Sequence, residues 1–339
     1  MWISPRLARL SGVARLAAWC LACLGVLVPL RVAQYLHEAR GAGTVRLEVP
    51  PGTTGDGVAR SLARAGLGPW ERGTRWGLRV WGRPERWKAG TYAFEAPVRL
   101  VDVFADLEAG RVELLEVTFP EGATVREMAA ALEAAGIVSA GEFAALALDG
   151  GAPGRWGLPG PTLEGYLFPD TYRFARGLAA EQVADALIRR FRQVAEPLLP
   201  EARARGLDLR SWVTLASVVE KETGIPGERA LVAAVFHNRL ARKMRLESDP
   251  TVIYGLEGFD GNLRGSDLRR DTPYNTYTRS GLPPGAIANP GRASLEAVLR
   301  PADVPYLFFV SRNDGTHVFS ATYDEHRRHV DFFQRGIGR

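Results

Sequence analysis

The chain opens with an apolar stretch and then changes to alternating and helical patterns. The apolar run covers residues 16–30 without interruption. A membrane span needs about 20 residues, and residues 32–36 lengthen the run if Arg31 extends its side chain to the membrane surface. Three arginines precede the run. The positive-inside rule therefore predicts a cytoplasmic N-terminus at 1–15, a transmembrane signal anchor at 16–36 and the remaining chain on the outer face.

A cleaved signal peptide would show a similar apolar run. No convincing small-x-small cleavage site follows this one, and neither Cys20 nor Cys23 has the small-residue context of a lipoprotein signal. We therefore expect a single-pass anchor in the inner (cytoplasmic) membrane, with the lipid bilayer as its partner. The sequence leaves the cleaved alternative open.

A strand-like alternation followed by a helical pattern occurs twice. Residues 45–50 alternate, and a turn that ends at Thr54 leads into an amphipathic helix closed by Gly66. The second copy, at 115–138, repeats this order with Thr124 at the matching position. Each copy predicts a strand, a turn with a Thr N-cap and a helix. Two copies are too few for a solenoid, so we predict paired small α+β modules.

Helical patterns dominate the rest of the chain, and one hairpin follows them. The turn Asn313-Asp314-Gly315 joins two strand-like segments before a last helix at 324–335. The stretch 281–291 is too rich in Pro and Gly for a regular element, and so constrained a loop is costly unless its shape is used. The predicted fold class is α+β, with an N-terminal membrane helix, a small strand-helix module and a larger mixed domain. The main helical patterns cover residues 180–195, 212–224 and 228–242.

Composition narrows the class of function. The 339 residues are 46% hydrophobic, include 8 tryptophans and carry a net charge of +5. No basic run is interleaved with stacking aromatic residues, so we expect no nucleic-acid partner. An anionic membrane surface or cell-wall polymer is favoured instead. Both cysteines lie in the apolar run and the 5 histidines form no HxxxH motif, so the sequence predicts neither a metal site nor a cofactor.

Two carboxylates close the helix predicted at 212–224. Apolar residues recur there at the spacing i, i+3, i+4 and i+7, and Asp208 is a plausible N-cap. At about 100° per residue, Glu220 and Glu222 fall on opposite shoulders of the apolar stripe, while Lys221 points away. Burial, the helix dipole and the neighbouring carboxylate would raise the pKa of either acid, as a general acid near neutral pH requires. A solvated helix end is the alternative, and the helical angle does not choose between the two acids.

Several longer motifs occur in the order of one known family. They are Glu-Gly and Phe-Pro-Asp-Thr-Tyr within 164–172, Ala-Ser-Val-Val-Glu-Lys-Glu-Thr at 216–223, Asn-Arg-Leu at 238–240, Ser-Asp-Pro-Thr-Val-Ile-Tyr-Gly at 248–255, Tyr-Asn-Thr-Tyr at 274–277, and Gly-Leu-Pro-Pro-Gly with Asn-Pro-Gly within 281–291. Together they closely resemble the YceG-like family, the endolytic murein transglycosylases called MltG. The resemblance covers nearly the whole chain.

The resemblance implies a membrane anchor, a LysM-like module and a catalytic domain. We expect the module at 45–112 and the catalytic domain at 113–339. The family's catalytic glutamate is the first acid of its Glu-Lys-Glu-Thr motif, which implies Glu220 here. A catalytic Glu220 must face a groove and must not be held ionised by an arginine. His237 stands where the family often has an aliphatic residue, and we interpret it as a surface or packing residue rather than a ligand.

The implied reaction cleaves the MurNAc-β-1,4-GlcNAc bond of peptidoglycan glycan strands without water and leaves 1,6-anhydro-MurNAc ends. One glutamate suffices, because it protonates the glycosidic oxygen and then accepts the proton of the muramyl C6 hydroxyl. Internal cleavage, release of nascent strands and partnership with peptidoglycan synthases are implied by the resemblance alone. Two alternatives stay open. One is a hydrolytic muramidase with Glu222 or Asp249 as its second carboxylate, and the other is a non-catalytic wall-binding scaffold that recruits synthases.

Supporting residues follow from the chemistry of the sugar. Tyr274 and Tyr277 are expected to stack on sugar faces, and Asn275 and Asn289 to hold N-acetyl groups with a paired donor and acceptor. A purely structural role is the alternative for each of them. The candidate substrate-binding or supporting residues are Glu164, Glu222, Asn238, Asp249, Thr251, Tyr274, Asn275, Tyr277, Pro284 and Asn289.

Overall fold

The computed structural model describes residues 12–68, 74–75 and 86–337. Most of the predicted cytoplasmic segment, residues 1–11, lies outside the described residues. The chain divides into two compact units, Met1–Leu114 and Leu115–Arg339. Each unit is described by itself.

A long apolar helix, α1, covers Gly12–His37. Its part Leu16–His37 is 22 residues long and apolar enough to cross a membrane. At about 1.5 Å per residue, this length matches a hydrocarbon core of about 30 Å. Large apolar side chains such as Leu21 and Trp19 are exposed along it. Because such side chains are stabilised by leaving water, the helix is consistent with the predicted single-pass anchor.

The first unit also contains a two-stranded sheet that packs against two helices. The strands are antiparallel, with Leu47 opposite Tyr92, and both side chains join Phe104 in one buried core. The hydroxyl of Thr54 accepts the backbone N–H of Gly57 and so caps the first of these helices. The elements are β1 (Ala39–Val49), α2 (Gly55–Arg64), β2 (Gly90–Arg99) and α3 (Leu100–Ala109).

The second unit is mainly helical and contains two small sheets, so the whole described fold is mixed α+β. Its helices are α4 (Val125–Ala134), α5 (Ala140–Ala147), α6 (Ala152–Arg155), α7 (Ala180–Ala195), α8 (Leu199–Ala204), α9 (Leu209–Glu222), α10 (Arg229–Ala241), α11 (Asp249–Gly255), α12 (Arg292–Leu299) and α13 (Tyr323–Phe333). Its sheets pair β3 (Leu114–Thr118) with β4 (Thr171–Ala175), and β5 (Phe308–Ser311) with β6 (His317–Ser320).

Helix α9 runs through the core of the second unit. Asp208 caps it by accepting a backbone N–H of the first turn at 2.7 Å, and residues 212–219 are all buried. Fully burying a large apolar side chain stabilises a fold by about 1.5–3 kcal/mol, so this helix is firmly held. It ends at Glu222, because Thr223 has an extended backbone with φ −145° and ψ 130°. The two acids therefore emerge from a fixed support.

The two strand-turn-helix copies share their local structure but have different neighbours. Thr54 caps α2 after β1, and Thr124 caps α4 after β3. Thr124 and Glu127 form a complete capping box. Each helix is followed by a glycine with left-handed backbone, Gly66 at φ 73° and Gly136 at φ 71°. The first strand pairs with β2 and the second with β4, so each copy builds a separate small sheet.

The Pro- and Gly-rich loop at 281–291 is irregular and largely buried. The backbone N–H of Ile287 donates to Ser217 Oγ on α9 at 3.0 Å. Gly165 lies against the loop with φ 91°, and a Cβ atom there would lie 2.5 Å from the Cβ of Ala286. A side chain at this position would therefore clash, so glycine is required. The loop has one defined shape, as its composition indicated.

The sequence patterns did not predict β4, α11 or α12. Asp249-Pro250 has the composition of a turn, but here Pro250 lies in the first turn of α11. A missing backbone N–H costs little at that position, because the first N–H groups of a helix have no intrahelical partner. The segment that begins at Asp249 is therefore helical and rigid.

Candidate active site

The two acids at the end of α9 have opposite surroundings, and Glu220 is the one that contacts a cation. Its side chain is 5% exposed, with Oε1 3.4 Å from the guanidinium of Arg229. Its Oε2 accepts the backbone N–H of Gly291 at 2.9 Å. A cation and an N–H donor both stabilise the ionised carboxylate. Glu220 therefore contacts an arginine, which the condition set above counts against a catalytic acid.

Arg229 also faces a second carboxylate. Its Nη2 lies 3.7 Å from Glu121 Oε2, so one cation serves both Glu121 and Glu220. Burial and then the charge of Glu220 raise the pKa of Glu121, and Arg229 opposes this rise. A Cβ atom at Gly291 would lie 1.9 Å from Glu121 Oε1, which shows how closely the backbone approaches. The Glu220 side of the helix end is thus an ion-pair cluster in which Arg229 is largely buried and the Glu121 side chain is 47% exposed.

Glu222 faces the other side of the helix and is partly exposed. The Ser248 hydroxyl donates a short hydrogen bond to its Oε1. Burial of the carboxyl group raises the pKa of Glu222 to about 7; the Ser248 hydrogen bond opposes the rise and the nearby charge of Asp249 adds to it. Arg239, the smallest of these influences, also lowers the pKa. Glu222 is therefore partly protonated near neutral pH.

Hydroxyl groups fix the segment that carries Ser248. Thr251 is buried, and its Oγ1 donates to the Ser248 carbonyl at 2.7 Å. The Ser248 backbone N–H donates to Thr276 Oγ1 at 3.0 Å. The Tyr277 hydroxyl donates to Asp249 Oδ1 at 2.7 Å. Two of the predicted residues, Thr251 and Tyr277, therefore fix this segment, and the hydrogen bond from Ser248 to Glu222 connects it to α9.

Glu164 is a buried junction between three segments of the fold. Its side chain accepts the Val125 backbone N–H at 3.0 Å, the Asn289 amide at 2.8 Å and the Tyr254 hydroxyl at 3.2 Å. Burial raises the pKa of Glu164 to about 8, against the first and last of these hydrogen bonds. At 2% exposure, it lies inside the protein, where it can support the site but not contact a ligand.

Two predicted asparagines use their amides inside the protein. Asn289 is fully buried, with Nδ2 donating to the Ala123 carbonyl at 2.9 Å and Oδ1 accepting the Gly165 N–H at 2.8 Å. Asn275 is also fully buried and donates to the Arg270 carbonyl at 2.7 Å. Buried amides need partners, and here backbone groups supply them. The structure thus corrects the expectation that these two amides hold N-acetyl groups.

Asn238 and His237 both hold backbone segments next to α10. Asn238 Nδ2 donates to the carbonyls of Val304 and Tyr306, each at 2.9 Å. His237 Nε2 lies 2.8 Å from the Val298 carbonyl, and burial lowers the pKa of His237. His237 is therefore a packing residue, as interpreted from the sequence. The Asn238 amide therefore binds backbone carbonyls of the protein itself.

Several predicted residues stay near the surface. Tyr274 is half-buried and packs edge-on against Tyr254, with ring centroids 4.8 Å apart. Pro284 and Tyr277 are also half-buried, and Asp249 is exposed. Together with Glu220, Glu222 and Asn238, these are the members of the predicted set that are not fully buried.

A cavity of about 390 Å³ lies beside Lys221, the residue between the two acids. Lys221 Nζ donates to the Gly122 carbonyl at 3.3 Å on one wall. This volume falls within the range of about 300–1,000 Å³ typical of small-ligand sites. The lining residues are Phe119, Pro120, Glu121, Gly122, Ala123, Glu127, Met128, Ala131 and Lys221.

Sequence reasoning did not single out the partners that distinguish the two acids. Arg229 lies 9 residues and Gly291 lies 71 residues from Glu220, and Ser248 lies 26 residues from Glu222. Ser248 belongs to one of the motifs quoted above, so its neighbourhood was found. No local pattern could have shown which acid it contacts.

The same motifs connect the chain to known proteins. The sequence profile of the YceG-like family matches residues 47–331. The chain belongs to the YceG-like family. The crystal structure of a YceG-like protein from Listeria monocytogenes is similar, with 27% identity and a TM-score of 0.58, covering 85% of this chain and 99% of that one.

Two curated relatives carry the name endolytic murein transglycosylase. The protein from Bacillus subtilis strain 168 is 39% identical over 167 residues, which are 49% of this chain and 46% of that protein. The protein from Streptococcus pneumoniae serotype 2 is 30% identical over 174 residues, which are 50% of this chain and 32% of that protein. The match thus spans less than half the length of either relative.

Proposed function

We propose that this YceG-like chain is a lytic transglycosylase that cleaves the MurNAc-β-1,4-GlcNAc bond of peptidoglycan, with Glu222 as its acid and base. The observation that carries this proposal is the Glu222 carboxyl group, whose pKa burial raises to about 7 while the residue stays reachable. The names of the curated relatives support the reaction class.

The contacts favour Glu222 over Glu220, the residue that the family resemblance implied. Glu220 is held by Arg229 and by the Gly291 N–H, so giving up or taking a proton would break an ion pair. Glu222 accepts one hydrogen bond from Ser248, and within the part of the chain that the structure describes no protein donor reaches its other oxygen. That oxygen can carry a proton towards a substrate.

In the proposed reaction, protonated Glu222 donates its proton to the glycosidic oxygen as the bond from that oxygen to the muramyl C1 breaks. The departing N-acetylglucosamine end thereby leaves as a neutral hydroxyl. The muramyl C6 hydroxyl then forms a bond to C1, and its proton passes to the Glu222 carboxylate. Proton and bond counts balance without water, and the product carries a 1,6-anhydro end.

Ser248 and Asp249 prepare Glu222 for both steps. The Ser248 hydroxyl, held through the Thr251 and Thr276 contacts, fixes one carboxyl oxygen. Asp249 adds a negative charge that disfavours ionisation of Glu222. A carboxyl group with a pKa near the working pH is effective both as donor and as acceptor.

A hydrolytic muramidase is the second candidate, because Asp249 is an exposed carboxylate in the electrostatic neighbourhood of Glu222. Hydrolysis needs a second carboxylate to activate water or to form a covalent intermediate. The Tyr277 hydroxyl hydrogen-bonds Asp249, which restrains it in that role and favours the transglycosylase. The two reactions leave different chain ends.

We further propose the cellular setting implied by the resemblance. Helix α1 would anchor the chain in the inner membrane with its N-terminus in the cytoplasm, residues 45–112 would form a LysM-like glycan-binding module, and residues 113–339 the catalytic domain. The partners would be nascent glycan strands and peptidoglycan synthases. Endolytic cleavage releasing or terminating new strands is the corresponding role.

The test digests purified peptidoglycan with the full chain in detergent and determines the new ends by mass spectrometry. Anhydro-muramyl ends are expected from the wild type, and none above background from Glu222→Gln. Reducing muramyl ends would establish the muramidase instead. If the wild type produces no new ends but binds the glycan, the scaffold alternative holds and the proposed reaction is refuted.

A further inference from the structure

One buried carboxylate ties the residue after Glu222 to a distant strand. Glu228 Oε2 accepts from His317 Nδ1 at 2.7 Å and from Thr223 Oγ1 at 3.4 Å. Its Oε1 accepts the His317 backbone N–H at 2.8 Å. Since an ionised carboxylate only accepts hydrogen bonds, His317 Nδ1 carries a proton. Glu228 therefore links strand β6 to the end of α9.

Thr223 is the residue where α9 stops. Its backbone is extended, it is buried, and its hydroxyl accepts the Ile225 N–H at 3.1 Å while it donates to Glu228. This hydroxyl therefore closes a small turn directly after Glu222. The path by which the chain leaves the helix depends on the Glu228 carboxylate.

Two consecutive residues at the start of α10 thus hold the two sides of the α9 end. Arg229 holds one side through Glu220, and Glu228 holds the other through Thr223. Glu222 lies between these fixed points, and its own contact is with Ser248. The arrangement restrains Glu222 without placing a charge partner on its carboxyl group.

We propose that Glu228 and His317 are positioning residues for Glu222, which hold the Thr223 turn so that the Glu222 carboxyl group stays packed against Ser248 and shielded from water. The proposal rests on the proposed function, because it gives the pair a role in that reaction. Neither residue touches the reacting atoms.

Shielding matters because desolvation is the largest influence that keeps Glu222 protonated. The groups that face its carboxyl group are Ser248, Asp249, Arg239 and Tyr277, and the turn at Thr223 directly follows Glu222 in the chain. If the turn loosens, water reaches the carboxyl group and stabilises its ionised form. A smaller fraction of Glu222 is then protonated above neutral pH.

The test measures kcat and KM for release of anhydro ends across a pH series, using the full chain in detergent. In Glu228→Gln and His317→Ala, kcat should fall about tenfold with KM unchanged, because misplacing a catalytic group mainly affects the chemical step. The basic limb of the kcat profile should also move to lower pH. His317→Asn retains an N–H donor for Glu228 and should recover most of the wild-type kcat and profile.

His329→Asn is the matched control, because His329 Nδ1 contacts Ser320 Oγ at 2.9 Å rather than Glu228. It should leave kcat and the pH profile unchanged. If the contact between Glu228 and His317 only stabilises the fold, His317→Ala should unfold at a lower temperature while the basic limb of its kcat profile stays at the wild-type pH. That result, or equal kcat for His317→Ala and His317→Asn, would overturn the proposal.

A second pair covers the case in which a variant at Glu228 or His317 does not fold. Thr223→Val removes the hydroxyl and should move the basic limb of the kcat profile to lower pH. Thr223→Ser keeps the hydroxyl, and its basic limb should stay at the wild-type pH. Equal profiles for these two variants would also refute the proposal. A wild type without anhydro products would instead refute the proposed function, so the two failures are distinct.

Discussion

The two sides of the α9 end contain carboxylates two positions apart but differ in electrostatics. On the Glu220 side, Glu121 and Glu220 share the cation of Arg229. On the Glu222 side, a neutral hydroxyl from Ser248 contacts the acid, and Asp249 adds a like charge. On the first side Arg229 opposes the rise in the pKa of Glu121, whereas on the second side burial and Asp249 raise the pKa of Glu222. Identical side chains on one helix are thereby suited to different work, structural on one side and proton transfer on the other.

The sharpest way to separate the two sides is to neutralise each acid in turn. Glu222→Gln should lower kcat by about 10²–10⁴-fold, the usual contribution of a positioned general acid. Glu220→Gln leaves the proposed proton donor in place, and its kcat should stay within about tenfold of the wild type. The measurement is the initial rate of anhydro-end formation at saturating glycan. Equal losses of kcat in Glu222→Gln and Glu220→Gln would contradict the proposed difference between the two acids.

Removing the shared cation should mainly affect stability. Arg229→Met leaves Glu121 and Glu220 close together without a counter-charge, and breaking a buried pair in this way costs about 3–5 kcal/mol. The measurement is the free energy of unfolding of the full chain in urea.

Arg300→Met is the control for that substitution. Arg300 pairs with Glu201 at 2.9 Å, but its side chain is 60% exposed, so the loss of unfolding free energy should be far smaller. A similar small loss for Arg229→Met would mean that the Glu220 cluster is not a structural ion pair.

The raised pKa of Glu222 also makes a prediction about stability and pH. A carboxyl group whose folded pKa is raised from 4.5 to about 7 contributes stability below its unfolded pKa and loses it as the pH rises through the folded value. Glu222→Gln lacks this titration. Between about pH 4 and pH 8, the unfolding free energy of the wild type should therefore fall by about 3 kcal/mol more than that of Glu222→Gln. Parallel profiles for the two proteins would contradict the assignment.

The smallest expected effect concerns the like charge beside Glu222. Asp249→Asn removes a charge that raises the pKa of Glu222, so the basic limb of kcat should move to lower pH, with about a threefold loss above neutral pH. Ser248→Ala removes a hydrogen bond that lowers this pKa and should move the limb to higher pH. Shifts in the same direction would show that the limb does not report Glu222.

Local sequence signals predicted several of the elements but not which acid has the surroundings that suit proton transfer. The helix that carries both acids, its Asp208 cap and the final hairpin follow from periodicity and turn chemistry, which depend on near neighbours. Glu220 and Glu222 both lie at the border of the apolar stripe. What distinguishes them comes from Ser248 and Gly291, which only the folded chain brings close.

The asparagines show a second limit of sequence reasoning. Asn275 and Asn289 occur in motifs beside a cleft, and an amide suits an N-acetyl group as well as it suits a buried backbone. Which of the two an amide binds depends on whether the residue is exposed. Here both side-chain amides donate hydrogen bonds to backbone carbonyls. Pro250 posed the same problem, since a proline after an aspartate is common both in turns and in the first turn of a helix.

The protonation of Glu222 itself is the most direct test of the account. The full chain is labelled with carboxyl-¹³C glutamate, and the Glu222 signal is identified by its disappearance in Glu222→Gln. The account predicts that this signal titrates near pH 7. A Glu222 signal that titrates near the ordinary value of 4.5 would contradict the central claim.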